Sequence, residues 1–228
     1  WYTRFNQLNE SEDIKMDILE TMKARHSVRQ YKNQAIESSK REKINALIKD
    51  VNAESKLSIQ VFYDEPKCFD SFMAHYGKFE NVKNYIAIVG NKNEQEKAGY
   101  YGEKIVLKCQ KLGLNTCWVA MTHGKSKAQI KRGQKLLIII SLGYGETQGV
   151  PHKSKSIAEL GQADQKNEWF EKGMEAVSLA PTAVNQQKFY FELKNGIVTA
   201  KNLGGFYSRI DLGIVKYHFE AVTGHEVK

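Results

Sequence analysis

The sequence has few cysteines and no long apolar segment, and both shortages exclude classes of protein. Cys68, Cys109 and Cys117 are the only cysteines, and they show no CxxC spacing. Three cysteines cannot all pair as disulfides, which indicates reduced thiols, so we expect a cytoplasmic protein. The longest strictly apolar run, residues 136–140, is too short to cross a bilayer, and no membrane partner is expected.

The first fifteen residues lack the apolar stretch of a signal peptide. The sequence begins with tryptophan, and Met16 fits a natural start. We expect residues 1–15 to be an upstream or expression-derived segment.

Positive charge is plentiful but dispersed. The net charge is +8 and the lysines are spread along the whole chain, as on a solvated surface. A basic stripe with interleaved aromatic residues is missing, so no nucleic-acid partner is expected. A small anionic cofactor or substrate fits the same charge. No residue spacing is typical of a metal site either, and none is predicted.

Predicted helices and strands alternate along the 228 residues, which form one large domain or two small ones. This alternation predicts an α/β or α+β sandwich with helices covering a central sheet. The pattern predicts helices over 17–23, 102–112, 168–180 and 212–222, a helix opened by a capping box at Ser39 and Glu42, and strands over 59–63, 85–89, 117–121, 136–142, 189–193 and 197–199. Asn195-Gly196 predicts a type I′ hairpin turn, and residues 143–156 resemble a linker.

The order of elements in residues 39–115 is similar to that in residues 164–228. Each stretch runs from a helix through two strands to a second helix that ends near a glycine. This similarity favours an internal duplication. Any chain of alternating helices and strands shows some of the same pattern, so the alternative of no duplication stays open.

Two arginines and a serine at alternating positions stand between a helix and an extended stretch. In extended backbone, Arg25, Ser27 and Arg29 all face one side. A guanidinium presents a planar fork that matches phosphate oxygens, so this face suits a phosphate group. A solvated basic turn is the alternative interpretation.

Two further polar segments suit the edge of a heterocyclic ring. In "APTAVNQQKFYF", Thr182, Asn185 and Gln186 offer donors and acceptors, although Pro181 is also a simple helix stop. In "LGLNTCWVAMTHG", a strand carrying Trp118 leads into a polar loop whose backbone N–H groups are available to a ring.

In this order the three segments resemble the FMN-dependent nitroreductase family. "ETMKARHSVRQYKNQAI" resembles the family's arginine-serine-arginine segment, "YGEKIVLKCQKLGLNTCWVAM" its helix-G-L-G-W segment and "EAVSLAPTAVNQQKFYF" its A-P-S-x-x-N-x-Q-P segment. The resemblance covers residues 17–228. Arg209, Asp211 and Gly213, followed by His218, are similar to a branch in which two repeats in one chain imitate the usual dimer.

The chain departs from the family pattern at three points. The A-P-S segment usually follows the first helix after the arginine motif, whereas here it lies in the second half. Thr182 replaces the usual serine and keeps the hydroxyl. Lys188 stands where proline often follows the glutamine.

The resemblance implies a nitroreductase-like α+β fold, an α/β/α sandwich, with a first repeat over 16–150 and a second over 151–228. It implies non-covalent FMN, reduced by NADH or NADPH in a ping-pong cycle that passes a hydride through flavin N5 to a nitroaromatic, quinone or similar acceptor. Because the flavin carries this chemistry, no catalytic side chain is predicted, and His218 is expected to be a packed helix residue. The residues expected to bind the cofactor are Arg25, His26, Ser27, Arg29, Trp118, Met121, Thr122, Pro181, Thr182, Ala183 and Asn185.

One chain would then build one FMN site between its two halves and act as a monomeric pseudo-dimer. Two other functions remain open at this point. An FMN-binding storage or sensor protein would share every motif above, and a basic domain that keeps the fold without the cofactor would share most of them.

Overall fold

Two sheets organise the chain in the computed structural model, which describes residues 17–228. The prediction for residues 1–15 lies outside this range. The larger sheet is antiparallel, in the order β1-β2-β4-β3, and consists of β1 (Ser58–Phe62), β2 (Asn84–Gly90), β3 (Asn115–Val119) and β4 (Lys135–Gly143). The smaller sheet has the order β5-β6-β7 and consists of β5 (Gly161–Ala163), β6 (Phe189–Lys194) and β7 (Ile197–Asn202).

Alternating side chains bury both faces of the larger sheet. Ile86 and Ile140 point into a core beneath the helices, whereas Tyr85 and Ile139 point into a second core on the opposite face. The helices are α1 (Ile18–Ala24), α2 (Ser38–Ser55), α3 (Phe72–Tyr76), α4 (Gln95–Lys111), α5 (Ile157–Leu160), α6 (Glu168–Ser178) and α7 (Ser208–Thr223). The two predicted repeats share the first core, since Ile105 of α4 and Phe219 of α7 both belong to it.

Helices α4 and α7 cross with their backbones in contact. A Cβ atom at Gly99 would overlap the main-chain carbonyl of Ile210, and one at Gly213 would overlap the main-chain carbonyl of Glu96. Only glycine allows two helices to approach this closely. The crossing therefore joins the first half of the chain to the second.

The predicted α+β class and the long elements are confirmed, and so is the Asn195-Gly196 turn, where both residues have positive φ. The capping box at Ser39 and Glu42 is wrong, because α2 begins at Ser38 and its N-cap residue, Glu37, makes no side-chain capping bond. The starts predicted for α4 and α7 are several residues late. For α4 the reason is physical: glycines disfavour a helix locally, but Gly99 and Gly102 are needed for tertiary contacts.

Three short elements were not predicted, namely α3, α5 and β5. Each has five residues or fewer, which is too short for hydrophobic periodicity to mark. Within residues 17–228, no helix combines the length and apolar composition needed to span a bilayer.

We predict that Gly213→Ala destabilises the protein by about 3 kcal/mol, because the main chain of α4 cannot move aside for a methyl group without separating the helices. Urea unfolding followed by circular dichroism measures this loss. Gly133→Ala is the matched control: its Cβ would meet open space at φ +86°, so only backbone strain of about 1–2 kcal/mol is expected. Equal losses for the two variants would contradict the close crossing.

Candidate functional site

Main-chain hydrogen bonds hold the arginine-serine segment in an extended conformation beside β3. The N–H of Val28 donates to the Thr116 carbonyl at 3.0 Å, and the N–H of Glu80 donates to the Arg29 carbonyl at 3.0 Å. On the other side, the N–H of Glu146 donates to the Gln30 carbonyl at 2.9 Å. Ser27 and Arg29 thereby reach a cleft next to β3.

This cleft has a volume of about 430 Å³ and lies between the two halves of the chain. That volume falls within the range of about 300–1,000 Å³ typical of ligand sites. Its walls come from residues 27 and 29, the end of β3 with residues 120–122, the turn at 181–184, and the start of α7. The hydroxyl of Tyr207 donates to the Ala120 carbonyl at 3.3 Å, which connects the two sides.

The cleft is mainly apolar. Among its lining residues only Arg29 and Asp211 carry formal charge. Large apolar side chains at the mouth are well exposed, and they are Met73, Tyr76, Met121, Val184 and Phe206. An exposed apolar cluster around a cleft is typical of a binding surface.

The turn after Pro181 has a strained backbone. Val184, Asn185 and Gln187 have φ values of 47°, 53° and 46°, and for a β-branched residue such as Val184 this region is strongly disfavoured. Side chains fix the turn: the amides of Asn185 and Gln187 both donate to the Lys153 carbonyl at 2.9 Å. Strained backbone of this kind is concentrated at functional sites.

Asp211, at the start of α7, accepts two hydrogen bonds from the turn after Pro181. Its Oδ1 accepts from the N–H of Ala183 at 2.9 Å, and its Oδ2 accepts from the amide of Gln186 at 2.8 Å. Burial raises the pKa of Asp211 to about 6, although both hydrogen bonds lower it.

A buried group of charged and polar side chains lies behind the cleft wall. The carboxylate of Glu103 accepts from Trp118 Nε1 at 3.0 Å and lies 3.0 Å from His218 Nε2. The Nε of Arg25 is 3.9 Å from the same carboxylate. Since His218 Nδ1 donates to the Ala176 carbonyl at 2.8 Å, α1, α4, β3, α6 and α7 meet at this group.

The opposite charges in this group compensate one another. Burial by itself would raise the pKa of Glu103, but His218, Arg25 and Trp118 lower it below its ordinary value. Burial lowers the pKa of the Arg25 guanidinium, and Glu103 opposes that effect. The carboxylate therefore holds the indole of Trp118, which lines the cleft, in a defined position.

The structure brings most of the predicted cofactor-binding residues to this cleft. Those that line it are Ser27, Arg29, Trp118, Met121, Thr122, Pro181, Thr182 and Ala183. The predicted loop at 120–122 and the predicted turn at 181–183 thus form two walls of the same cleft.

Three predicted residues do not line the cleft. Arg25 is 3% exposed and faces Glu103, because it ends α1 and does not continue the alternation of Ser27 and Arg29. His26 packs against Gly149, and burial, with Arg25 and His152, lowers its pKa. Asn185 does not line the cleft, and its amide donates to the Lys153 carbonyl at 2.9 Å. His218 is fully buried, as predicted for a packed residue.

Sequence reasoning missed Glu103 and did not assign Asp211 to the site. A carboxylate at position 103, three and four residues before the buried Val106 and Leu107, lies on an apolar helix stripe, and that placement was the available sign of a buried charge. Across residues 17–228, no cluster of three or more His, Cys, Asp or Glu side chains could hold a metal ion.

Comparisons with known proteins show the family of the chain. A family model described as "Putative TM nitroreductase" matches residues 17–223, and the chain belongs to this family of nitroreductase-type oxidoreductases. No curated protein sequence matches the chain significantly.

Solved structures share the fold. A putative nitroreductase from Thermotoga maritima is 24% identical, with a TM-score of 0.66 over 91% of this chain and 83% of the other. A putative nitroreductase from Desulfovibrio desulfuricans, in complex with FMN, is 14% identical, with a TM-score of 0.50 over 64% of this chain and 95% of its own. A nitroreductase family protein from Streptococcus pneumoniae is 13% identical, with a TM-score of 0.50 over 62% and 96%. The predicted nitroreductase-like α+β fold is confirmed.

We predict that Glu103→Gln destabilises the fold by about 3–5 kcal/mol at pH 7, since it leaves the buried charge of Arg25 without a counter-charge. Because the folded pKa of Glu103 is lowered, its contribution is present above its ordinary pKa and is lost as the pH falls through the folded value. Urea titrations at pH 7 and pH 4 test both points. The exposed carboxylate of Glu54 pairs with Lys104, so Glu54→Gln should cost less than about 1 kcal/mol. A stable Glu103→Gln protein would show that the pair contributes little.

Proposed function

We propose that the protein is an FMN-dependent oxidoreductase that uses NADH or NADPH to reduce a small acceptor such as a nitroaromatic compound or a quinone. The observation that carries the proposal is the cleft that Ser27 and Arg29 of one half line together with residues 181–183 of the other. Membership of the nitroreductase family and the FMN complex of a structural neighbour support it.

The residues present fit FMN. In the part of the chain that the structure describes, Arg29 forms no ion pair with a carboxylate, and its guanidinium lies 5.9 Å from the ring centre of Phe79. A cation without a carboxylate partner, next to the hydroxyl of Ser27, suits a phosphate group. Trp118, Ile138 and Pro181 supply apolar walls for a planar ring.

Bound FMN would supply the redox chemistry, acceptance of a hydride at N5 and its delivery to the acceptor. The protein's own task is then to bind, orient and exclude water. Residues 120–122 and 181–183 would hold the two sides of the ring, and the apolar mouth would receive the nicotinamide and the acceptor in turn.

We further propose that residues 16–150 and 151–228 are two repeats that pack as the subunits of a dimer do. The reciprocal contact of α4 and α7 supports this arrangement: Gly99 packs on Ile210 and Ile214, while Gly213 packs on Glu96 and Tyr100. Positions 96, 99 and 100 of α4 correspond to positions 210, 213 and 214 of α7, each 114 residues later, so the two sets of contacts are related as a two-fold axis between repeats would relate them. One chain would then bind one FMN, because only one Arg-Ser-Arg segment exists.

The decisive test is spectroscopic. The purified protein should show flavin absorbance, or take up added FMN, at one flavin per chain, and should oxidise NADH or NADPH when a quinone or nitroaromatic compound is present. Bound flavin without turnover would favour a storage or sensor role instead. Two flavins per chain would contradict the single site.

We predict that Arg29→Ala weakens FMN binding by about 10- to 100-fold, because a hydrogen bond to a charged group contributes about 1.5–3 kcal/mol. Quenching of flavin fluorescence on titration measures the affinity. Arg132→Ala removes an exposed arginine from a turn outside the cleft and should bind FMN like the wild type. Wild-type affinity in Arg29→Ala would refute the phosphate site.

A further inference from the structure

Asp211 is the one carboxylate among the lining residues of the cleft, and the proposed hydride transfer through the flavin does not use it. It is 4% exposed, and each of its oxygens is engaged by a donor from the turn after Pro181. Its partner Gln186 also donates to the Phe206 carbonyl at 2.6 Å. Asp211 thus joins α7 to the turn at 181–187, and its partner Gln186 joins that turn to the segment before α7.

The turn held by these bonds needs an external restraint. Val184 and Asn185 lie in the left-handed region, and Val184 is 82% exposed, so its own packing does not stabilise that conformation. Strained backbone persists only where surrounding structure determines it. Both donors to Asp211, at positions 183 and 186, flank the strained residues.

We propose that Asp211 is a positioning residue that acts as an acid-sensitive latch: as a carboxylate it holds the turn at 183–187 against the cofactor cleft, and protonation releases it. The inference rests on the proposed function, since it concerns the affinity of the same cleft for FMN. The physical reason is that both partners are N–H donors, and a hydrogen bond to a carboxylate is roughly twice as strong as one to a neutral carboxyl group, so protonation weakens both bonds.

The charged groups around Asp211 do not account for the shift of its pKa. Burial raises its pKa to about 6, and no neighbouring charge contributes to the shift. The elements packed around it carry charges that are engaged elsewhere or exposed: Glu96 of α4 pairs with Lys216 of α7 at 2.7 Å, Arg209 and Lys188 are exposed, and Arg29 lies across the cleft.

The first test is FMN affinity between pH 7 and pH 5. At pH 5 about one-tenth of a group with a pKa of about 6 is ionised, so the wild-type Kd should rise roughly tenfold from this cause. The FMN phosphate also titrates near pH 6, so the effect of Asp211 is the additional rise relative to Asp211→Asn. The variant should bind weakly at pH 7 and show only the dependence due to the phosphate.

Asp164→Asn is the matched control. Asp164 also accepts a main-chain hydrogen bond, from Asn195 at 2.8 Å, but it is exposed, directly follows β5 and does not line the cleft. The FMN affinity of Asp164→Asn should change with pH as that of the wild type does. Gln186→Met removes one donor and leaves the carboxylate, so it should weaken binding in part and serves if Asp211→Asn does not fold.

Hydrogen exchange without added FMN tests the latch independently of the cofactor. Protection of the segment 182–187, corrected for the intrinsic rate, should fall in the wild type between pH 7 and pH 5 and be low at both values in Asp211→Asn. Failure of the wild type to bind FMN would refute the proposed function, while this measurement would still decide the latch. Two results would overturn the latch: equal protection of residues 182–187 in the wild type and Asp211→Asn at pH 7, or equal FMN affinities of the two proteins with the same pH dependence.

Global stability separates positioning from a merely structural role. Since the pKa is raised from 3.8 to about 6 on folding, the contribution of Asp211 to stability is present below about pH 4 and is lost as the pH rises through 6. Acidification to pH 5 should therefore raise the urea midpoint of the wild type relative to Asp211→Asn while it lowers the affinity of the wild type. A purely structural residue would change both in the same direction.

Discussion

The backbone contact between α4 and α7 is the constraint on which the rest of the structure depends. Because Gly99 and Gly213 lack side chains, the two helices lie close enough for α7 to start at the cleft and for His218 to reach Glu103. The same placement sets Asp211 against the turn after Pro181. Two segments from opposite ends of the chain can then form one site.

The buried charges behind the cleft are stable only as a group. An isolated buried carboxylate or guanidinium would cost several kcal/mol, and Glu103, Arg25 and His218 offset much of that cost for one another. The arrangement is demanding in geometry because three helices must meet at one carboxylate. In return the indole of Trp118 is fixed at the wall of the cleft, which is the kind of rigid support that a binding site requires.

Local patterns in the sequence accounted for most elements and for much of the site. Ser27 and Arg29 face the cleft because extended backbone alternates its side chains, a local property. Arg25 departs from that alternation because it ends α1 and is drawn to a carboxylate on α4, far along the chain. Asn185 does not line the cleft, because its amide donates a hydrogen bond to the carbonyl of Lys153 in the connecting segment. Both partners are invisible to a pattern of spacing.

The sequence by itself determined the class of fold, the long helices and strands, the hairpin at Asn195-Gly196 and the three segments that meet at the cleft, since each depends on residues close together in the chain. Only the tertiary structure decided which side chains reach the cleft, where α4 begins and which charges are buried together. Those outcomes depend on contacts such as Gly99 with Ile210 and Glu103 with His218. Their energies come from close approach and burial, which exist only once the distant segments have packed.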